Sequence, residues 1–134
     1  MNFTMHTDGG SRGNPGSAAI GVVVKDMMGK KVIEISKSIG ETTNNQAEYT
    51  ALIVGLQECL KNRFLEVTCF LDSELVVNQI NGLYKVKNAG IAELIVKVNQ
   101  LKNQFKKIQF NHIVREKNIE ADALVNKALD NLTI

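Results

Sequence analysis

Phe3, Met5 and Thr7 alternate with Thr4, His6 and Asp8, the two-residue period of a strand. The glycine-rich GGSRGNPG that follows, residues 9 to 16, reads as a loop. β-Branched residues crowd Ala18 to Lys25, a turn containing Gly29 interrupts at Asp26 to Lys30, and alternation resumes from Lys31 to Ile39. Two further strands therefore form an antiparallel hairpin, and the chain opens as a three-stranded meander. After Gly40 the period lengthens: Ala47, Leu52, Leu56 and Leu60 recur at helical spacing behind the polar start Thr42 to Asn45. Val67 to Leu71 is a short apolar run suited to a buried central strand, and Ser73 can cap a helix from Glu74 to about Ile80 that Gly82 ends. Asn88 to Lys106 sets Ile91, Leu94, Ile95, Val98, Leu101 and Phe105 on one face, a pattern that fits one helix or two. A last strand, Ile108 to Val114, leads to a helix containing Ala121, Leu124, Val125 and Ala128. The order βββαβααβα predicts an α/β fold, a mixed sheet flanked by helices.

A chain of 134 residues with 44% hydrophobic and 22% charged side chains suits a single domain, 1–134, with one soluble core. Its longest apolar runs, Ala18 to Val24 and Ala51 to Leu56, are too short to cross a bilayer, and no signal-like segment opens the sequence. A cytoplasmic monomer is expected. Cys59 and Cys69 have neither disulfide-scaffold nor zinc-site spacing and are expected as buried thiols, with pairing open until a distance is known. Net charge is only +2, yet between Lys85 and Lys117 eight basic residues face Glu93 and Glu116, a local excess of six. That stretch is either a phosphate-facing surface or a solvated lysine-rich face.

Acids occupy positions where neutral residues would fit more easily. Asp8 lies near the end of the first strand and Asp72 closes an apolar strand expected in mid-sheet. Neighbouring strand ends lie close together, so two carboxylates can share one site. Glu48 and Asp122 are placed in the first turns of their helices, where the helix dipole alone would account for an anion. Converging carboxylates repel one another unless a divalent cation is present, and hard oxygen donors select Mg²⁺ or Mn²⁺. Two such ions can activate water and stabilise a leaving oxygen at a phosphodiester. Spacing alone does not establish that these four acids converge.

TDGGSRGNPG at 7 to 16, TNNQAEYTALIVGL at 43 to 56, LDSELVVNQING at 71 to 82 and REKNIEADALVNKAL at 115 to 129 resemble, in order, the four signature blocks of type 1 ribonuclease H. The resemblance implies a five-stranded mixed sheet with the first three strands antiparallel. It also implies that Asp8, Glu48, Asp72 and Asp122 are catalytic metal ligands for two ions. The activity it implies is hydrolysis of the RNA strand of RNA–DNA hybrids, leaving 5′-phosphate and 3′-hydroxyl ends. Asn14, Asn44 and Asn45 match positions that contact the hybrid in related enzymes, and amides can both donate to and accept from a 2′-hydroxyl. Gly9, Gly10 and Ser73, beside two of the acids, join the expected substrate-binding set.

The chain departs from the family pattern in places. Glu74 stands where many members have glutamine, and the loop Arg115 to Asn118 lacks the histidine that many bacterial members carry before the last acid. His112 is assigned to the preceding strand and His6 is left without a role. The basic, tryptophan-rich protrusion of some members is missing, and Tyr84 to Asn88 with Lys85 and Lys87, together with Arg115 and Lys117, is the expected substitute for phosphate contact. Double-stranded RNA is a second candidate substrate. Two other readings compete: a non-catalytic module binding hybrid or double-stranded RNA, and an ATPase, which the lack of a P-loop lysine disfavours.

Overall fold

The computed structural model describes residues 1–132. Its elements are β1 (Asn2–Gly13), β2 (Gly16–Lys25), β3 (Lys31–Thr42), α1 (Asn44–Lys61), β4 (Glu66–Leu71), α2 (Glu74–Ile80), α3 (Ala89–Lys102), β5 (Lys107–His112) and α4 (Ile119–Asn131), with a 3₁₀ turn at Arg115–Lys117 before α4. The expected order is observed. The strands form one five-stranded sheet ordered β3-β2-β1-β4-β5, antiparallel among the first three and parallel from β1 to β5.

Two expectations about the opening segment are corrected. GGSRGNPG is not a loop: β1 continues to Gly13 and pairs with β2 as far as Gly13 opposite Gly16. Backbone pairing persists through the glycines when both strands of a hairpin extend together, so only Asn14 and Pro15 form the turn. Asp8 is therefore in the middle of β1 rather than near its end. It lies, however, at the end of the parallel pairing, because β1 and β4 stay in register only from Asn2 opposite Glu66 to Thr7 opposite Leu71.

Helix α1 packs on one face of the sheet with α2 and α3, burying Met5, Val22, Tyr49, Leu52, Leu56, Leu71 and Val98 in the main core. Helix α4 covers the other face across β1, β2 and β3, where Ala19, Val125, Ala128 and Leu129 form a smaller cluster. Thr43 caps α1 by accepting from the Gln46 amide, and Ser73 caps α2 by accepting from Val76. Gly82, at φ +77°, ends the α2 region in a conformation that side-chain-bearing residues resist. The amphipathic stretch after it is one helix that stops at Lys102, so Phe105 and Lys106 lie in the following turn. The last strand ends at His112, two residues short of the expected Val114. Both cysteines are buried free thiols, with Cys59 Sγ 4.0 Å from the Met5 sulfur. No helix among the described residues is long and apolar enough to cross a membrane.

Candidate active site

Strand register brings the first two acids together. The next position after Thr7 opposite Leu71 holds Asp8 beside Asp72, on parallel neighbours about 4.8 Å apart. Glu48 arrives from above. It sits in the second turn of α1, not the first as expected, so the helix terminus does not explain its charge. Its approach depends on Gly9, where a Cβ would stand 2.2 Å from the Ala47 carbonyl carbon and oxygen and 2.5 Å from the Glu48 nitrogen. Gly21, opposite Asp8, does the same for α4: a Cβ there would lie 2.2 Å from the Ala121 carbonyl oxygen. Two glycines flanking Asp8 thus let a helix close on the sheet from each side.

Asp8, Glu48 and Asp72 each offer a carboxylate oxygen within 4.8 Å of the others. Asp122, in the first turn of α4, lines the same cleft of about 410 Å³. Burial pushes Asp8 up from 3.8 to about 7, reinforced by the charges of Asp72 and Asp122, while a hydrogen bond from Glu48 opposes the rise. Burial also raises Glu48 well above the usual carboxylate range, with the Asp8 charge next and a Gly9 amide hydrogen bond opposing. Each carboxyl is therefore shifted towards its protonated form when no cation is present, because each is buried and faces the other's charge.

A divalent cation fits this donor set. The oxygens are hard, acidic and convergent, and buried Glu48 Oε2 has no hydrogen-bond donor among the described residues. The same end of the sheet holds two more buried side-chain polar atoms without partners among the described residues, Thr7 Oγ1 and Asn118 Oδ1.

Of the expected substrate residues, Gly9, Gly10, Asn44, Ser73 and Arg115 line the carboxylate cleft. Asn14, Asn44, Asn45 and Lys87 line a neighbouring cavity of about 460 Å³, so Asn44 stands between the two. Asn44 Oδ1 accepts from the Ser11 amide at 2.8 Å, and Asn14 Oδ1 accepts from the Asn44 amide at 3.0 Å. These amides brace the β1–β2 hairpin against α1, which leaves their Nδ2 groups as donors. Lys85 lines neither cavity and is exposed between α2 and α3. The lysine-rich stretch does not form one surface: Lys107 sits at the far end of the sheet opposite Glu66, whereas Arg115 lies in the cleft with its guanidinium 3.8 Å from Asp122. His6 stacks on Phe70 with ring centroids 5.0 Å apart, and burial lowers its pKa. It lines a different pocket with Lys117, outside the cleft. His112, at the end of β5, is exposed.

Sequence reasoning missed Gly21, Asn118 and Asn126. A glycine inside the β-branched run Ala18 to Val24 was a usable signal of close backbone approach. Asn118 is 1% exposed and touches Asp72, a tertiary contact that nothing local announces. Asn126 donates to Asp122 at 3.3 Å, one helical turn on.

Residues 6–128 match the family described as reverse transcriptase-like. The chain is 42% identical over 131 residues to a bifunctional protein of Mycobacterium tuberculosis, covering 97% of this chain and 36% of that protein. It is 40% identical over 123 residues to ribonuclease HI of Halobacterium salinarum, covering 92% of this chain and 62% of that protein. The chain thus spans about a third of the mycobacterial relative and under two thirds of the archaeal one. The crystal structure of RNase H1 from Halobacterium salinarum superposes with a TM-score of 0.95 at 37% identity, covering 98% of this chain and 99% of that one. A ribonuclease H1 isolated from compost, solved in complex with an RNA/DNA hybrid, superposes with a TM-score of 0.92 at 45% identity, covering 98% and 99%.

Proposed function

The chain belongs to the type 1 ribonuclease H family, and from that premise we propose that it hydrolyses the RNA strand of RNA–DNA hybrids, leaving 5′-phosphate and 3′-hydroxyl ends. One observation carries the reading: Asp8, Glu48 and Asp72 converge within 4.8 Å at the base of a cleft that Asp122 also lines. Asp8, Glu48, Asp72 and Asp122 are the residues that would hold Mg²⁺ or Mn²⁺, two ions when substrate is bound. The cation, when present, supplies charge neutralisation at the phosphodiester and lowers the cost of deprotonating water.

The chain's own groups do the rest. Burial and mutual charge disfavour the ionised forms of Asp8 and Glu48, which a bound cation would favour by offsetting their repulsion. Asn44, between the cleft and the amide-lined cavity, with Asn14 and Asn45 beside it, presents amide groups suited to successive 2′-hydroxyls. Lys87 supplies a cation for a backbone phosphate and Arg115 a second one in the cleft, where no histidine stands. Lys85, exposed on the same connection, contributes only through its field. Ser73 fixes the start of α2 next to Asp72, and Gly9 and Gly10 keep the floor of the cleft low.

We further propose a monomer acting in the cytoplasm, where buried reduced thiols such as Cys59 and Cys69 are ordinary. Double-stranded RNA is a weaker substrate in this reading, since it shares the 2′-hydroxyls on one strand but not the DNA backbone on the other. The test is a panel of labelled duplexes with Mg²⁺ or Mn²⁺. Cleavage of RNA in the hybrid, with DNA strands intact and product ends as stated, supports the reading. Binding of hybrid without cleavage under either metal supports the non-catalytic module instead.

A further inference from the structure

Asn118 precedes α4 at its N-cap, where asparagine ordinarily turns its side chain back to accept a hydrogen bond from the first turn. It makes no such cap here. The side chain is buried instead, and Nδ2 donates to the Thr7 carbonyl at 2.9 Å and to Asp72 Oδ2 at 3.1 Å. Both partners only accept, so the amide has one admissible orientation; flipped, its Oδ1 would face two acceptors. Thr7 is joined to Asp8, and the main-chain oxygen of Asn118 accepts from the Asp122 amide at 3.1 Å. One residue therefore touches the segments that carry three of the four acids.

Stability alone does not account for this placement. Asn118 gives up a helix cap, and its Oδ1 is buried without a donor, two local losses that a residue selected only for folding would avoid. A lysine or arginine reaching Asp72 would neutralise it and repel a cation, and an aspartate would repel Asp72 itself. A neutral donor holds the carboxylate while leaving its charge for a metal.

We propose that Asn118 is a positioning residue that orients the Asp72 carboxylate and fixes its spacing from Asp8 and Asp122, so that the site is preassembled for divalent cation. This rests on the metal-dependent reading above. Partners of this kind, which touch a ligating group rather than the metal, typically change metal affinity by about ten- to a hundredfold when removed.

The test measures Mn²⁺ binding by titration calorimetry, without substrate, in wild type, Asn118→Ala, Asn118→Ser and Leu56→Ala. Serine keeps a side chain able to cap α4, which guards against loss of the fold, and Leu56→Ala destabilises the core away from the site. The expected result is a Mn²⁺ affinity about tenfold or more weaker in both Asn118 variants and unchanged in Leu56→Ala, whatever their melting temperatures. In hybrid cleavage kcat falls while KM stays within about twofold. In an Asp72→Ala background, Asn118→Ala costs less Mn²⁺ affinity than it does in wild type, because the carboxylate that it orients is gone. Unchanged affinity and kcat in both Asn118 variants, against a wild type that binds Mn²⁺, overturns the positioning role alone. A wild type that neither binds Mn²⁺ nor cleaves hybrid overturns the metal-dependent reading as well.

Discussion

The apolar core and the carboxylate cleft are built by the same three elements, a few residues apart. Met5 on β1, Leu52 on α1 and Leu71 on β4 are fully buried in the core. Asp8, three residues on from Met5, Glu48, one turn back from Leu52, and Asp72, next to Leu71, make the cleft. Two acids of the cleft are nearly as closed to solvent as the core, Asp8 and Glu48 at 4% and 7% exposed, while Asp72 and Asp122 are half-buried at its opening. In the core, burial lowers the free energy of the fold; in the cleft it raises carboxyl pKa values and leaves Glu48 Oε2 without a donor. The rigid core holds charges where they would not otherwise assemble.

That contrast can be tested by altering one region at a time, starting with the largest effect. Asp8→Asn and Asp72→Asn should each lower kcat for hybrid cleavage by about a hundred- to thousandfold or more, with the fold intact by circular dichroism. Leu52→Ala should do the reverse, costing about 2–5 kcal/mol in urea unfolding while activity per folded molecule persists. Gly9→Ala joins the regions, because its methyl would meet the α1 backbone; a loss of about 1–3 kcal/mol together with weakened metal binding is expected. Gly10→Ala, whose Cβ would meet nothing nearer than Val125 Cγ1 at 3.6 Å, should keep its stability.

A smaller effect is the pH dependence of the metal-free protein. Asp8 holds its proton up to about pH 7 when folded but only to about 3.8 when unfolded. Between those values the folded state binds the extra proton, so stability falls as pH rises from about 4 towards 7. Calorimetric melting temperatures should show that decline, Asp8→Asn should reduce it while buried Glu48 keeps a part, and added Mg²⁺ should stabilise most at the alkaline end. The smallest expected change is at the rim. Lys87→Ala should weaken hybrid binding and reduce the slope of log affinity against log salt by about one, and Lys85→Ala by less, as fluorescence anisotropy can measure.

Periodicity made the element order legible where an element buries one side, and a continuous apolar run did so for β2, which is buried on both faces. It failed at GGSRGNPG, where glycine and proline signal a turn but the hairpin's paired backbone carries both strands through it. The four acids were legible as oddities of position and as parts of motif blocks. Their convergence was not, because it depends on β1 and β4 being parallel neighbours in one register, with Gly9 and Gly21 admitting two helices. The two readings of the basic stretch from Lys85 to Lys117 could not be separated for the same reason: strand β5 carries the chain across the sheet, so Lys107 and Arg115 stand at opposite ends, about the length of a strand apart. Asn118 left no local trace, since its partners lie 111 and 46 residues away.

The most direct measurement is single-turnover cleavage of a hybrid labelled on its RNA strand, comparing wild type with Asp72→Asn, each with Mg²⁺ and with chelator. Rapid cleavage by wild type with Mg²⁺, with the other three reactions slower by about a hundredfold or more, is the expected outcome. Equal cleavage with chelator, or by Asp72→Asn, would contradict it.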